Sequence, residues 1–159
     1  MSLIADVRIN NQYICVINNH FETTSANAYR GIITAPGKSL KVRAKAVKDL
    51  ILKMKNNYLK RAEQADSIHA EIERSPYPVL VCGDFNDTPA SYTYRQIRKG
   101  LTDGFRDCGS GYQYTFRQLY KLWRIDYVFY SESLKGYECY SPETSYSDHN
   151  MVVWKGIIN

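Results

Sequence analysis

Three short strings carry the residues with the most chemistry to offer: Gly83-Asp84-Phe85-Asn86, Arg124-Ile125-Asp126-Tyr127 and Ser147-Asp148-His149. Each lies against a strand-like run. Val79-Leu80-Val81-Cys82 leads into Asp84, Asp126 opens Asp126-Tyr127-Val128-Phe129-Tyr130, and Asp148-His149 precedes Met151-Val152-Val153-Trp154. Carboxylates at strand ends beside a single imidazole are the raw material of metal-assisted phosphoryl hydrolysis.

Taken one at a time, the strings have two readings. A carboxylate at Asp84 could activate a water, and the amide of Asn86 could hold a phosphoryl oxygen or help ligate a divalent cation. Gly-Asp-x-Asn-Asp-x-Pro is equally a run of turn formers. Asp148 suits a hard cation such as Mg²⁺, which takes few protein carboxylates and keeps water and phosphate. His149 could touch that phosphate, with Asp126 the natural carboxylate for its second ring nitrogen; a loop His capping a strand is the alternative. His20 ends a strand after Asn18-Asn19 and could donate to a phosphoryl oxygen or leaving group, although a lone His there is commonly structural. His69, among Ala65, Ile68 and Ile72, reads as structural.

The elements that must position these residues follow from periodicity. Leu3–Ile9 and Tyr13–Ile17 flank Asn10-Asn11 and read as a hairpin. Thr23–Lys38, with Gly31, Pro36 and Gly37, reads as a loop. Ser39 caps a helix with apolar residues at helical spacing from Leu40 to Met54. Asn56-Asn57 suggests a break, and a second helix runs from Tyr58 to Arg74, ended by Ser75-Pro76-Tyr77-Pro78. Val79–Cys82 reads as a central strand buried on both faces. A helix over Ser91–Arg98 closes at Gly100, and Leu101–Gly111 is irregular. Tyr112–Phe116, Trp123–Tyr130 and Met151–Ile157 read as strands, with Tyr137–Tyr140 a weaker one.

The chain has 159 residues, one domain's worth, with a net charge of +5 and a pI near 9.0. That balance favours a polyanionic partner: nucleic acid, a phosphorylated small molecule or an anionic membrane surface. The Lys and Arg residues crowd between Arg30 and Arg74, however, where a lysine-rich helix is commonly just a solvated face. No apolar run reaches bilayer-spanning length, so the segment reads as soluble, with its location open. Cys15, Cys82, Cys108 and Cys139 form no Cys-x-x-Cys pair and are expected to be free thiols. Tyr112–Arg117, with Tyr120 and Trp123, could stack on a base or sugar, or simply pack.

Asn18-Asn19-His20 after a strand, then Gly-Asp-Phe-Asn, Arg-Ile-Asp-Tyr and Ser-Asp-His in that order, resembles the C-terminal half of the endonuclease/exonuclease/phosphatase superfamily, the DNase I-like enzymes. The likeness runs from about His20 to Trp154. It implies that Asp84 orients or deprotonates the attacking water and that Asn86 binds phosphate and supports the metal region. It implies further that His149 contacts the scissile phosphate with Asp126 as its partner, that His20 is a further phosphate-binding group, and that Asp148 is a metal ligand for Mg²⁺ or Mn²⁺. The superfamily also uses a glutamate in an early Gln-Glu string, and this chain has none. The resemblance therefore implies residues 1–159 as the C-terminal half of a catalytic domain: half of a four-layer α/β sandwich, one mixed, mostly antiparallel sheet with helices on one face. Such a piece is expected to be poorly active alone and to bind metal weakly or not at all.

Its substrate would be a phosphate ester in nucleic acid, a phospholipid head group or a sugar phosphate. Membrane association of a longer protein stays open. The bare sheet face is expected to drive a two-fold homodimer. The competing reading is a non-catalytic module that binds nucleic acid or another subunit through a basic helical arm.

Overall fold

The first two strands turn back through Asn10 and Asn11, both with positive φ (48° and 67°), a region asparagine tolerates and two-residue hairpins require. The computed structural model, which describes residues 1–24, 27–118 and 121–158, pairs β1 (Ser2–Ile9) antiparallel with β2 (Gln12–His20). Helices α1 (Asn27–Thr34) and α2 (Leu40–Arg74) then bring the chain back to β3 (Val79–Asp84), parallel to β2. After α3 (Tyr92–Arg98) come the two-residue β4 (Thr102–Asp103) and α4 (Gly104–Cys108). Strand β5 (Asp126–Tyr130) lies antiparallel between β3 and β4, giving the order β1-β2-β3-β5-β4. A separate antiparallel ribbon consists of β6 (Leu134–Tyr140) and β7 (Val153–Ile158).

Alternation along the strands sorts their side chains onto two faces. Ile17, Val81, Phe85, Tyr127 and Phe129 face the helices and meet Ala65 and Ile68 of α2 and Ile97 of α3. Each such fully buried side chain contributes about 1.5–3 kcal/mol. On the other face Ile14 and Tyr130 pack against Leu134, Trp154 and Ile158 of the ribbon. The ribbon covers only part of that face. Leu3, Val7 and Ile9 of β1 stay exposed, and an open apolar groove of about 490 Å³ runs between Ile9, Leu80 and Ile157.

The structure alters several local expectations. Residues 40–74 form one helix with no break at Asn56-Asn57. The Asn57 amide turns sideways to donate to the Thr23 carbonyl at 2.9 Å, so it does not compete with the helix backbone. The expected loop contains α1, which gains its stability by packing on α2. Tyr112–Phe116 is not a strand. The Thr115 and Phe116 amides both donate to the Trp123 carbonyl, leaving isolated bridges from Phe116 to Trp123 and His149. For the same reason residues 123–125 stay outside β5. Residues 101–111 contain β4 and α4, and the last two strands pair with each other rather than with the main sheet. All four cysteines are free. Among the described residues, no helix is long and apolar enough to cross a membrane.

Candidate active site

Register brings the strand ends together. His20 of β2 lies opposite Asp84 of β3, and Asp84 lies opposite Asp126 of β5. Their neighbours Phe21, Phe85 and Tyr127 point into the helix-side core, so the three polar side chains emerge on the opposite face. Gly83 makes the approach possible. Its φ is 125°, and a Cβ there would sit 2.0 Å from the Asn19 carbonyl oxygen, which only glycine avoids.

Asn86 gives the Asp84 carboxylate two hydrogen bonds. The Asn86 backbone N–H donates to Asp84 Oδ1 at 2.7 Å and its Nδ2 to Oδ2 at 3.0 Å. Nδ2 also donates to the Phe21 carbonyl at 3.1 Å. Both amide hydrogens are therefore spent, and Asn86, at φ 50°, serves to aim Asp84. His20 Nε2 stands 3.8 Å from Asp84 Oδ2 on an exposed side chain.

Asp126 meets His149 at 2.9 Å, Oδ2 to Nδ1, leaving Nε2 for another partner. Several groups that the sequence strings do not include fix this pair. Thr115 Oγ1 accepts the Ile125 and Asp126 amides, both at 3.0 Å. The Phe116 ring lies 5.0 Å from the His149 ring. Arg117 Nη1 donates to the Thr144 and Ser147 carbonyls, tying down the loop that carries His149. Behind the site Arg124 forms a buried, two-pronged pair with Asp103 at 3.0 and 2.6 Å. Tyr94 donates to Asp103 at 2.7 Å. Although burial works against it, Arg124 keeps the Asp103 carboxyl below the usual carboxylate range. Among these supports Arg124 lies in the Arg-Ile-Asp-Tyr string, and Thr115, Phe116 and Arg117 lie in a string that reads as a strand and its exit.

Ligand atoms of Asp84, Asp126 and His149 all lie within 4.8 Å of one another. Two hard carboxylate oxygens and an imidazole at that span fit a divalent cation that keeps part of its water. Asp148 stands apart. It is exposed, its Oδ2 accepts from Gln118 Nε2 at 3.3 Å, and its carbonyl accepts from the Arg117 amide at 2.9 Å. Of the aromatic run, Tyr112 and Trp123 are exposed, Phe116 serves His149, and Tyr120 lies outside the described residues. His69 sits in α2, away from the cluster.

A family model described as the Endonuclease/Exonuclease/phosphatase family matches residues 25–149. The chain belongs to this family. None of the curated proteins compared with it is a significant match. Among solved structures it is similar to the family protein from Bacteroides vulgatus, at TM-score 0.64 and 19% identity, over 94% of this chain and 51% of that one. It is similar to the Bacteroides thetaiotaomicron mannosyl-6-phosphatase, at TM-score 0.56 and 18% identity, over 94% and 53%. The human Nocturnin catalytic domain with bound sulfate aligns at TM-score 0.60 and 17% identity, over 99% and 52%. The chain thus spans about half the length of these structures, and its mixed α/β architecture is DNase I-like.

Electrostatics at the cluster of Asp84, Asp126 and His149 are shifted in one direction. Burial, then the charge of Asp126, pushes the Asp84 carboxyl from its ordinary 3.8 up to about 6. The hydrogen bond that His149 donates to Asp126 raises its pKa above the ordinary value, against the effect of burial. Because Asp84 holds its proton more tightly folded than unfolded, its contribution to stability is complete below pH 3.8 and is lost as pH rises through about 6. We therefore expect Asp84→Asn, which keeps one oxygen for the Asn86 amide, to melt higher than the wild type at pH 8 in EDTA, by about 1–3 kcal/mol. The gap should close as pH falls toward the carboxylate range. Calorimetric melting across this range checks it, and a variant that melts lower at pH 8 contradicts the burial argument.

Proposed function

We propose that this chain carries the water-activating and phosphate-facing residues of a metal-dependent phosphoesterase. The observation that supports it most is the Asp126–His149 pair at 2.9 Å, set beside Asp84 at the shared end of three strands. Asp84, a carboxylate that holds a proton better than most, takes a proton from the attacking water. Asn86 is a positioning residue for Asp84. Asp126 fixes the orientation of His149 and favours its cationic form, so that Nε2–H donates to a phosphoryl oxygen. His20, exposed beside Asp84, is a second donor. Mg²⁺ or Mn²⁺, when bound, would neutralise charge developing on the phosphoryl oxygens. Asp84 and Asp126 would hold it, and Asp148 would join after giving up its bond to Gln118. Both cluster carboxylates are already engaged with Asn86 and His149, so we expect weak binding. The substrate class is a phosphate ester, either a diester or a monoester.

With Mg²⁺ present, slow hydrolysis of bis(p-nitrophenyl) phosphate or p-nitrophenyl phosphate is expected. Asp84→Asn and His149→Ala should each lower it about 10²–10⁴-fold, and EDTA should abolish it. Where turnover is too slow to read, phosphate should shift the His149 and His20 ring signals in NMR spectra. Unchanged rates in both variants, or no ring shift, contradict the assignment.

The uncovered sheet face would be completed by a second copy in a two-fold dimer. Burial of several hundred Å² at about 25 cal/mol per Å² is enough to drive it. Sedimentation equilibrium at micromolar concentration should give a dimer that Val7→Asp disrupts, whereas a monomer overturns this part of the proposal.

A further inference from the structure

Helix α2 is about 52 Å long at 1.5 Å per residue, much longer than the strands it packs on. Its overhang has a definite direction. Arg61 bonds the Glu22 carbonyl, Thr24 Oγ1 and Asp87, all just past the strand ends that carry His20 and Asp84. Residues 40–57 therefore project beyond the end of the sheet that holds the site.

This projecting half is amphipathic in an unusual way. Leu40, Ala44, Val47, Ile51, Met54 and Tyr58 recur at alternating spacings of four and three, so they form one stripe. The stripe continues into Ala65, which is buried on the sheet. Beyond the sheet it is bare: Leu40 is 85% exposed, Ile51 60% and Met54 48%. Lys41, Lys48 and Lys55, seven residues apart, line one border. Among the described residues none of these three pairs with an acid. The segment from residue 30 to 60 carries nine Lys or Arg against the single acid Asp49.

We propose that this arm is a docking surface for an anionic lipid bilayer. The apolar stripe would seat at the boundary of head groups and acyl chains, and the bordering lysines would extend to lipid phosphates. The apolar surface is broader than a coiled-coil seam, because Ile32 of α1 and Leu52 and Leu59 among the lysines are exposed as well. An antiparallel pair of copies along the stripe would set the lysine border against itself. Nucleic acid gains little from bare aliphatic side chains. The docking stands without the catalytic reading. Only its consequence, that the site would face lipid head groups, rests on that reading.

The 159-residue chain should co-sediment with phosphatidylcholine vesicles containing about one-third phosphatidylserine. Pure phosphatidylcholine should retain about tenfold less, and about 0.5 M NaCl should release the bound chain. Reversing Lys41, Lys48 and Lys55 to Glu should weaken binding on the order of a hundredfold, with unchanged circular dichroism. Val47→Ser with Ile51→Ser should weaken it on both vesicle types. No retention on anionic vesicles, equal retention on neutral ones, or full retention of the triple variant overturns the proposal. So does tighter binding of duplex DNA that the triple variant loses, or a dimer that Ile51→Asp dissociates.

Discussion

The direct opposition of Asp84 and Asp126 across β3 and β5 is the contact on which the rest of the site depends. Two carboxylates on adjacent strands repel, and burial makes Asp84 harder to ionise. The fold accommodates them with specific partners rather than by separating them. Asn86 gives two donors to Asp84, and His149 takes up Asp126. What burial and repulsion leave unrelieved appears as the elevated Asp84 carboxyl. A slip of one residue between the strands would send one carboxylate into the aromatic core around Phe85 and Tyr127.

That register is itself held from several directions. Gly83 lets β3 lie against the Asn19 backbone, and Thr115 fixes the start of β5 through two amides. The buried Arg124–Asp103 pair, stacked with Arg124 4.8 Å from the Tyr127 ring, anchors the residues just before Asp126. Removing one partner of such a pair leaves an uncompensated buried charge, commonly at a cost of about 3–5 kcal/mol. Helices α2 and α3 pack on one side of this arrangement, and the ribbon closes the other in part. The site therefore sits at the end of a face that is apolar, half covered and accessible.

Much of this is legible in the sequence wherever the signal is local. Val79–Cys82 is a short apolar run, and it is the central strand. Asn10-Asn11 is a hairpin turn, and Ser39 is a helix cap. Asp84, Asn86, Asp126 and His149 are adjacent to strands and do meet. What depends on partner choice is not legible. Tyr112–Phe116 alternates like a strand, but its amides go to the Trp123 carbonyl and it becomes a platform for His149. Asn57 looks like a helix breaker until the Thr23 carbonyl is found beside it. Asp148, next to His149 in sequence, turns to Gln118 because the loop is steered by Arg117. Sequence adjacency did not decide which way its side chain faces.

The central claim is that Asp126 and His149 act as one unit at the end of the sheet. An NMR titration of the His149 ring in the wild type and in Asp126→Asn tests it most directly. The account predicts a midpoint above the ordinary histidine value in the wild type and a lower one in the variant, because the raising hydrogen bond is lost while burial persists. The same His149 midpoint in both proteins would contradict it.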